Sequence, residues 1–310
     1  MSDQEVFQRL KRPKLKKPKI KAPKKRRRLK YIAILPSIVT LMKGLCGLTA
    51  IIFASRGLDT AWRPQLLPKV NISFFALAGY MIFLGMIADM LDGHIARISK
   101  STSSFGAQLD SLCDVISFGA APAFLMLKLV EAHTSRLQFE NFRHILFFER
   151  IVYFIALIYA MCAIIRLARF NVENTEDDAA HLSFAGLPSP AAAGMMVSAV
   201  IFQQDFLPKI MELPEKSIRA FELATIWVLP IIALMTGLLM VTRVPYPHVM
   251  NRLLRGKKSF PTFLLAVFTM LLAIWNIQLA MVLGFLAFML YGIIRWIIIK
   301  LIPKKPQLSS

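Results

Sequence analysis

Eight apolar stretches, near residues 32–54, 71–90, 108–130, 149–169, 187–204, 221–241, 260–277 and 279–299, approach the roughly 20 residues that a helix needs to cross a hydrocarbon core of ~30 Å. No water is present at that depth to take up main-chain hydrogen bonds, so a spanning segment must be a helix or part of a closed barrel. No alternation of apolar and polar residues over about ten positions competes with the runs, so helices do the spanning. A mean hydropathy of +0.56, with only 18% charged residues, excludes a soluble domain of this length. The expected fold class is all-α: a polytopic membrane helix bundle with about eight transmembrane helices.

Charge gives the expected orientation. Residues 1–30 carry fourteen Lys or Arg against Asp3 and Glu5, much of the chain's net charge of +20. With regularly placed prolines and no apolar core, this tail is expected to stay disordered on the cytoplasmic side, resting on anionic lipid headgroups. No aromatic residue is interleaved with its basic ones, so nucleic acid is not the expected partner. It is not a cleavable signal peptide either, and the first span is expected to serve as insertion signal. An even number of spans puts residues 301–310, a second short tail, on the same side. Arg97 and Lys100, Arg166 and Arg169, and the basic stretch 242–259 agree with that positive-inside arrangement, although Arg56, Arg63, Lys69, Arg136, Arg143 and Arg150 fall in outer loops. Residues 31–300 then form a single membrane domain in the cytoplasmic (plasma) membrane. Cys46, Cys113 and Cys162 lie in or beside apolar runs without metal-ligand spacing and read as small buried hydrophobes.

Against this background, the segment ADMLDGHIARISKSTSSFGAQLDSLCD is anomalous: it sets Asp89, Asp92, Asp110 and Asp114 at the end of an oily run. A carboxylate in hydrocarbon costs a few kcal/mol or more unless it is compensated, so the four imply a partner. Asp89 and Asp92 stand at i, i+3 and Asp110 and Asp114 at i, i+4, so each pair projects from one helical face and the two faces can converge. Bare carboxylates at that range repel one another. A divalent cation removes the repulsion, since Mg²⁺ or Ca²⁺ selects hard oxygens at about 2.0–2.6 Å, and Mg²⁺ commonly shares its shell between carboxylates and phosphates. Gly93 and Gly106 remove side chains where a ligand or helix must come close, and Arg97 offers a guanidinium to phosphate oxygens. Together these describe a diphosphate site. A proton or cation pathway is the rival reading, but the acids cluster at one end of two helices and do not ladder across the membrane.

The pattern Asp89-x-x-Asp92-Gly93-x-x-Ala96-Arg97, eight residues, Gly106-x-x-x-Asp110-x-x-x-Asp114 resembles, position for position, the signature of the CDP-alcohol phosphotransferases. The resemblance implies a membrane transferase that passes a substituted phosphate from a CDP-linked donor to an alcohol and releases CMP, usually as a homodimer. It also implies Mg²⁺ or Mn²⁺, one ion or two, on Asp89, Asp92 and Asp110. Asp114 then falls on the general base and on a possible ligand of the second ion. Gly93, Ala96, Arg97 and Gly106, with Asp92, fall on positions lining the CDP group.

Flanking segments are similar to the integral-membrane bacterial phosphatidylserine synthases: Asp110-Ser-Leu-Cys-Asp114-x-x-Ser117-Phe118-Gly119, Arg166-Leu-Ala-Arg169-Phe-Asn171, Gly186-Leu-Pro-Ser-Pro190 and Val244-Pro-Tyr-Pro-His248. That resemblance implies CDP-diacylglycerol as donor and L-serine as acceptor. Glycerol phosphate, inositol phosphate or choline with the same chemistry are the alternatives, and a cation-coupled transporter is an alternative of another class. A serine carboxylate needs cations, which Arg166 and Arg169, with Asn171 beside them, are placed to provide, and Ser117 is a polar contact or a helix-packing residue. The first span departs from the pattern. Ser37 stands where an Asn is usual, three residues before Thr40 on the CDP side, and Lys43 stands where a second Asn is usual. An ammonium within a span wants a carboxylate or a phosphate, so Lys43 is expected to face the donor headgroup or the aspartates, unless it snorkels to an interface.

Overall fold

The computed structural model describes residues 34–58, 72–99, 104–136, 142–173, 183–206, 215–247 and 276–301. Helices α1 (Ile34–Arg56) and α2 (Phe74–Ser99) pack along one another. Helix α3 (Ser104–Asp114) runs through a π-helical segment (Val115–Ala120) into α4 (Ala121–Arg136), and α5 (Phe142–Glu173) packs along α7 (Glu215–Val241). Between these come α6 (Ser189–Ile201) and a second π-helical turn (Phe202–Phe206), and α8 (Ile277–Leu301) ends the described chain.

Six helical stretches among the described residues are long and apolar enough to cross a membrane: Ser37–Arg56, Phe74–Ile95, Phe105–Ser135, Leu146–Val172, Arg219–Val241 and Ile277–Leu301. The molecule is a multi-pass helical membrane protein. Two of the eight expected spans are not among the six. The stretch 260–277 lies, apart from its last two residues, outside the described residues. The stretch expected at 187–204 is α6, only 13 residues long, with Ala192, Ala193, Met196, Val197, Val200 and Ile201 fully buried. A helix apolar on every side is stable in lipid or inside a bundle, and α6 takes the second environment, wrapped by α2, α4, α7 and α8.

The core follows from that placement. Phe118, Leu125, Met126, Leu129, Tyr159 and Ile226 share one buried cluster with the residues of α6, whereas Leu41, Leu45 and Ile52 of α1 and Phe147, Phe154 and Leu157 of α5 point outward. On a soluble protein such exposure would be a liability; here it is the surface that lipid covers. Helix α8 is the extreme case, with almost no residue of its apolar stretch buried.

Two features break the all-helical pattern. Strands β1 (Ser183–Ala185) and β2 (Pro245–Pro247) pair antiparallel, Phe184 opposite Tyr246, and tie the approach to α6 to the segment after α7. Gly186 follows β1 at φ +93° and donates its N–H to the Val244 carbonyl at 2.9 Å. A Cβ there would sit against the Met240 and Thr242 carbonyls, so only glycine suits the turn. The other feature is the π-helical segment directly after Asp114. Widening the helix frees carbonyls, and Tyr159 of α5 donates its hydroxyl to one of them, Phe118 O, at 3.0 Å.

Candidate functional site

Helix α2 does not stop where its oily run ends but continues through Asp89, Asp92 and Gly93 to Ser99, holding both carboxylates on a rigid element. Helix α3 supplies Asp110 and Asp114 one turn apart. One carboxylate oxygen from each of Asp89, Asp92 and Asp110 lies within 4.8 Å of the others. The donor set is all oxygen and anionic, and its span suits a hard divalent cation, so these residues fit the metal that the motif implies. Exposure is graded across the cluster: the Asp92 side chain is 9% exposed, Asp114 13%, Asp89 26% and Asp110 44%. The cage therefore has a dry wall at Asp92 and an open side at Asp110.

Helix α1 closes the cage from below with a cation of its own. Lys43 is fully buried, and its Nζ donates to Asp89 Oδ1 at 2.8 Å, to Asp114 Oδ1 at 2.5 Å and to Asp110 Oδ1, with Asp92 Oδ2 at 3.9 Å. One turn earlier, the Thr40 hydroxyl donates to Asp92 Oδ2 at 3.1 Å. The lysine takes the cluster side of the expected pair and does not snorkel. Its helix can come this close because Gly44 and Gly47 face the third span. A Cβ on Gly47 would stand 2.6 Å from Ser117 Oγ and 2.8 Å from its Cα, and one on Gly44 would stand 2.9 Å from Cys113 Sγ.

The remaining expected residues fall around this centre. Gly93 faces open space, with no heavy atom of the described residues, its own helix backbone and chain neighbours aside, within 4 Å of where a Cβ would be. Gly106 begins α3 and Ser37 sits in the first turns of α1, half-buried. Ala96 and Arg97 follow on the last turns of α2, and their side chains lie outside the described residues. Arg166, on α5, donates from Nη1 to Ser189 Oγ at 2.5 Å and lies within electrostatic reach of Asp114 and Asp89. Asn171 donates to Ser111 Oγ at 2.9 Å, joining α5 to α3 between Asp110 and Asp114, and Arg169 is half-buried on the same stretch. Ser117 is placed as a packing residue: fully buried, it donates to the Lys43 carbonyl at 2.8 Å, so its hydroxyl is committed between helices.

Sequence reasoning missed two partners. Ser189 and Ser111 orient Arg166 and Asn171, and nothing in their type or spacing marks them, since small hydroxyl residues are common between membrane helices. It also missed a second polar centre. Nine residues before Asp89 on α2, about 13 Å along the helix, Tyr80 donates its hydroxyl to the buried Asp205 at 2.8 Å, and Gln278 of α8 donates to the same oxygen at 3.0 Å. The sequence marks Asp205 only as one acid just past the apolar stretch 187–204, beside Gln203 and Gln204.

The sequence profile described as CDP-alcohol phosphatidyltransferase matches residues 33–232. Among curated proteins, the chain is similar to one from Methanocaldococcus jannaschii, at 30% identity over 217 residues, 70% of this chain and 83% of that protein. It is similar to one from Helicobacter pylori at 31% over 224 residues, 72% and 81% of the two chains. A third, from Mycobacterium bovis, is 31% identical over 178 residues, 56% of this chain and 51% of the other. All three are named CDP-diacylglycerol–serine O-phosphatidyltransferase.

Proposed function

The chain belongs to the CDP-alcohol phosphatidyltransferase family, and from that premise we propose that it transfers the phosphatidyl group of CDP-diacylglycerol to L-serine, giving phosphatidylserine and CMP. The observation that carries the chemistry is the convergence of Asp89, Asp92, Asp110 and Asp114 beside the open space at Gly93. The serine acceptor is supported by the names of the relatives.

In this reading Asp89, Asp92 and Asp110 hold Mg²⁺ or Mn²⁺, with Asp114 beside a second ion if two bind. When bound, the metal supplies Lewis-acid neutralisation of the donor's diphosphate. Thr40 fixes Asp92 through its hydrogen bond. Gly93 leaves room for CDP, which Ser37, Ala96, Arg97 and Gly106 line. Asp114 accepts the proton of the serine hydroxyl as its oxygen attacks the phosphatidyl phosphorus; the bond to CMP breaks and its electron pair leaves with CMP. Arg166 has one of its five N–H donors on Ser189 and keeps the others for the serine carboxylate, with Arg169 and Asn171 beside it. The bundle of residues 31–300 works as a homodimer in the cytoplasmic membrane, its aspartates facing the cytoplasm with both tails, and the basic tail 1–30 rests on anionic lipid.

The test is CMP release by the purified protein in mixed micelles of labelled CDP-diacylglycerol. Serine, glycerol phosphate, inositol phosphate and choline are offered in parallel, with Mg²⁺, Mn²⁺ or a chelator. Turnover with serine that stops on chelation is the expected result. Preference for another alcohol overturns the acceptor, and turnover indifferent to chelation overturns the metal.

A further inference from the structure

Among the described residues no other Lys or Arg is buried, and the buried one sits where a metal is expected. An ammonium has three protons to donate. Those of Lys43 meet Asp89, Asp110 and Asp114, while Thr40 holds Asp92, so each of the four carboxylates has a partner within this chain. Asp89 and Asp110 also belong to the trio whose oxygens are close enough together to hold a metal ion. A divalent ion seated on the same two carboxylates is repelled by the ammonium already on them, and a poorly solvated site screens that repulsion little. The ammonium and a divalent ion therefore compete for Asp89 and Asp110. Four carboxylates outnumber one ammonium, so the cage continues to attract a divalent ion while Lys43 occupies it.

The main chain of Lys43 is pinned by Ser117 on its carbonyl and by the close approach at Gly47, whereas its four-carbon stem has rotatable bonds through which the charge can shift. Resting on the metal-site reading above, we propose that Lys43 is a resident counter-ion that competes with the divalent metal for the aspartate cage. It yields when a nucleoside diphosphate arrives, because the diphosphate offers the displaced ammonium a new anionic partner. Metal affinity is thereby coupled to the presence of donor, and the ammonium offsets the mutual repulsion of the carboxylates.

The experiment is Mn²⁺ titration of the full chain in detergent, followed by electron paramagnetic resonance, for wild type, Lys43→Met and Lys43→Asn, each with and without CDP. Without CDP, both variants are expected to bind Mn²⁺ at least tenfold more tightly than wild type. CDP is expected to tighten wild type at least tenfold and the variants less, so that the difference narrows. Thermal unfolding in chelator, lower for the variants and restored by Mn²⁺, reports the counter-ion role without any turnover. Equal or weaker Mn²⁺ binding by the folded variants overturns the proposal and leaves the metal site standing; no Mn²⁺ binding by any form overturns both. Should neither variant fold, wild type alone decides, since an Mn²⁺ affinity indifferent to CDP is incompatible with the coupling.

Discussion

Ser117 donates its hydroxyl to the main-chain carbonyl of Lys43 at 2.8 Å, which joins the first span to the third directly beneath the aspartates. The bond sets the height of Lys43 and Thr40 relative to Asp110 and Asp114, and Gly47 permits the approach on which it depends. Gly47→Ala places a methyl group against Ser117 Oγ and its Cα. A backbone neighbour cannot rotate away, so overpacking of about 1–3 kcal/mol is expected. Thermal unfolding in detergent should show a lower midpoint, and activity should fall with it because the cage loses its floor.

Asp114→Asn keeps the shape of the side chain and removes its capacity to take a proton. Turnover should drop by about 10²–10⁴-fold, while binding of CDP-diacylglycerol, measured by equilibrium filtration, remains. A variant that turns over at a wild-type rate would remove Asp114 from its role as base.

Thr40→Val deletes the hydroxyl that orients Asp92 and nothing of comparable size. Groups that hold a metal ligand in place are typically worth about 10–100-fold in metal affinity or activity. The expected signature is a rise in the Mg²⁺ concentration required for half-maximal activity, with the KM for serine unchanged.

Arg166→Gln separates acceptor from donor. With a cation for the serine carboxylate removed, the KM for serine should rise by about tenfold or more, the scale of a charge-assisted hydrogen bond, and the KM for CDP-diacylglycerol should stay. If both constants move together, Arg166 supports the fold and not the acceptor.

Tyr80→Phe tests the other polar centre. Asp205 would keep Gln278 and lose the tyrosine hydroxyl. Hydrogen bonds between membrane helices are individually modest, so a loss of about 1 kcal/mol is expected, read as a lower unfolding midpoint with CMP release per folded molecule unchanged.

The parts of this molecule that depend on spacing were legible in the sequence. Asp89 with Asp92 and Asp110 with Asp114 fall on single helical faces by arithmetic alone, and Lys43 stood out because a charge inside an apolar run demands a partner. What was not legible depends on three-dimensional neighbours. An all-round apolar run reads the same whether lipid or protein surrounds it, so the burial of α6 among other helices could not be read from its own residues. Nothing local marks the widening of the helix after Asp114, because the carbonyl that Tyr159 satisfies lies 41 positions away. Ser117 could be read either as a substrate contact or as packing until the position of the first span was known.

The gradient of exposure across the four acids, from Asp92 to Asp110, sorts visitors by solubility. Under the proposed reaction, an amino alcohol arriving and a nucleotide departing would both meet the cluster on its wet Asp110 side, and a high product concentration would then hinder the alcohol. A two-tailed donor would face no such competition, an asymmetry that follows from where the chain leaves its carboxylates wet.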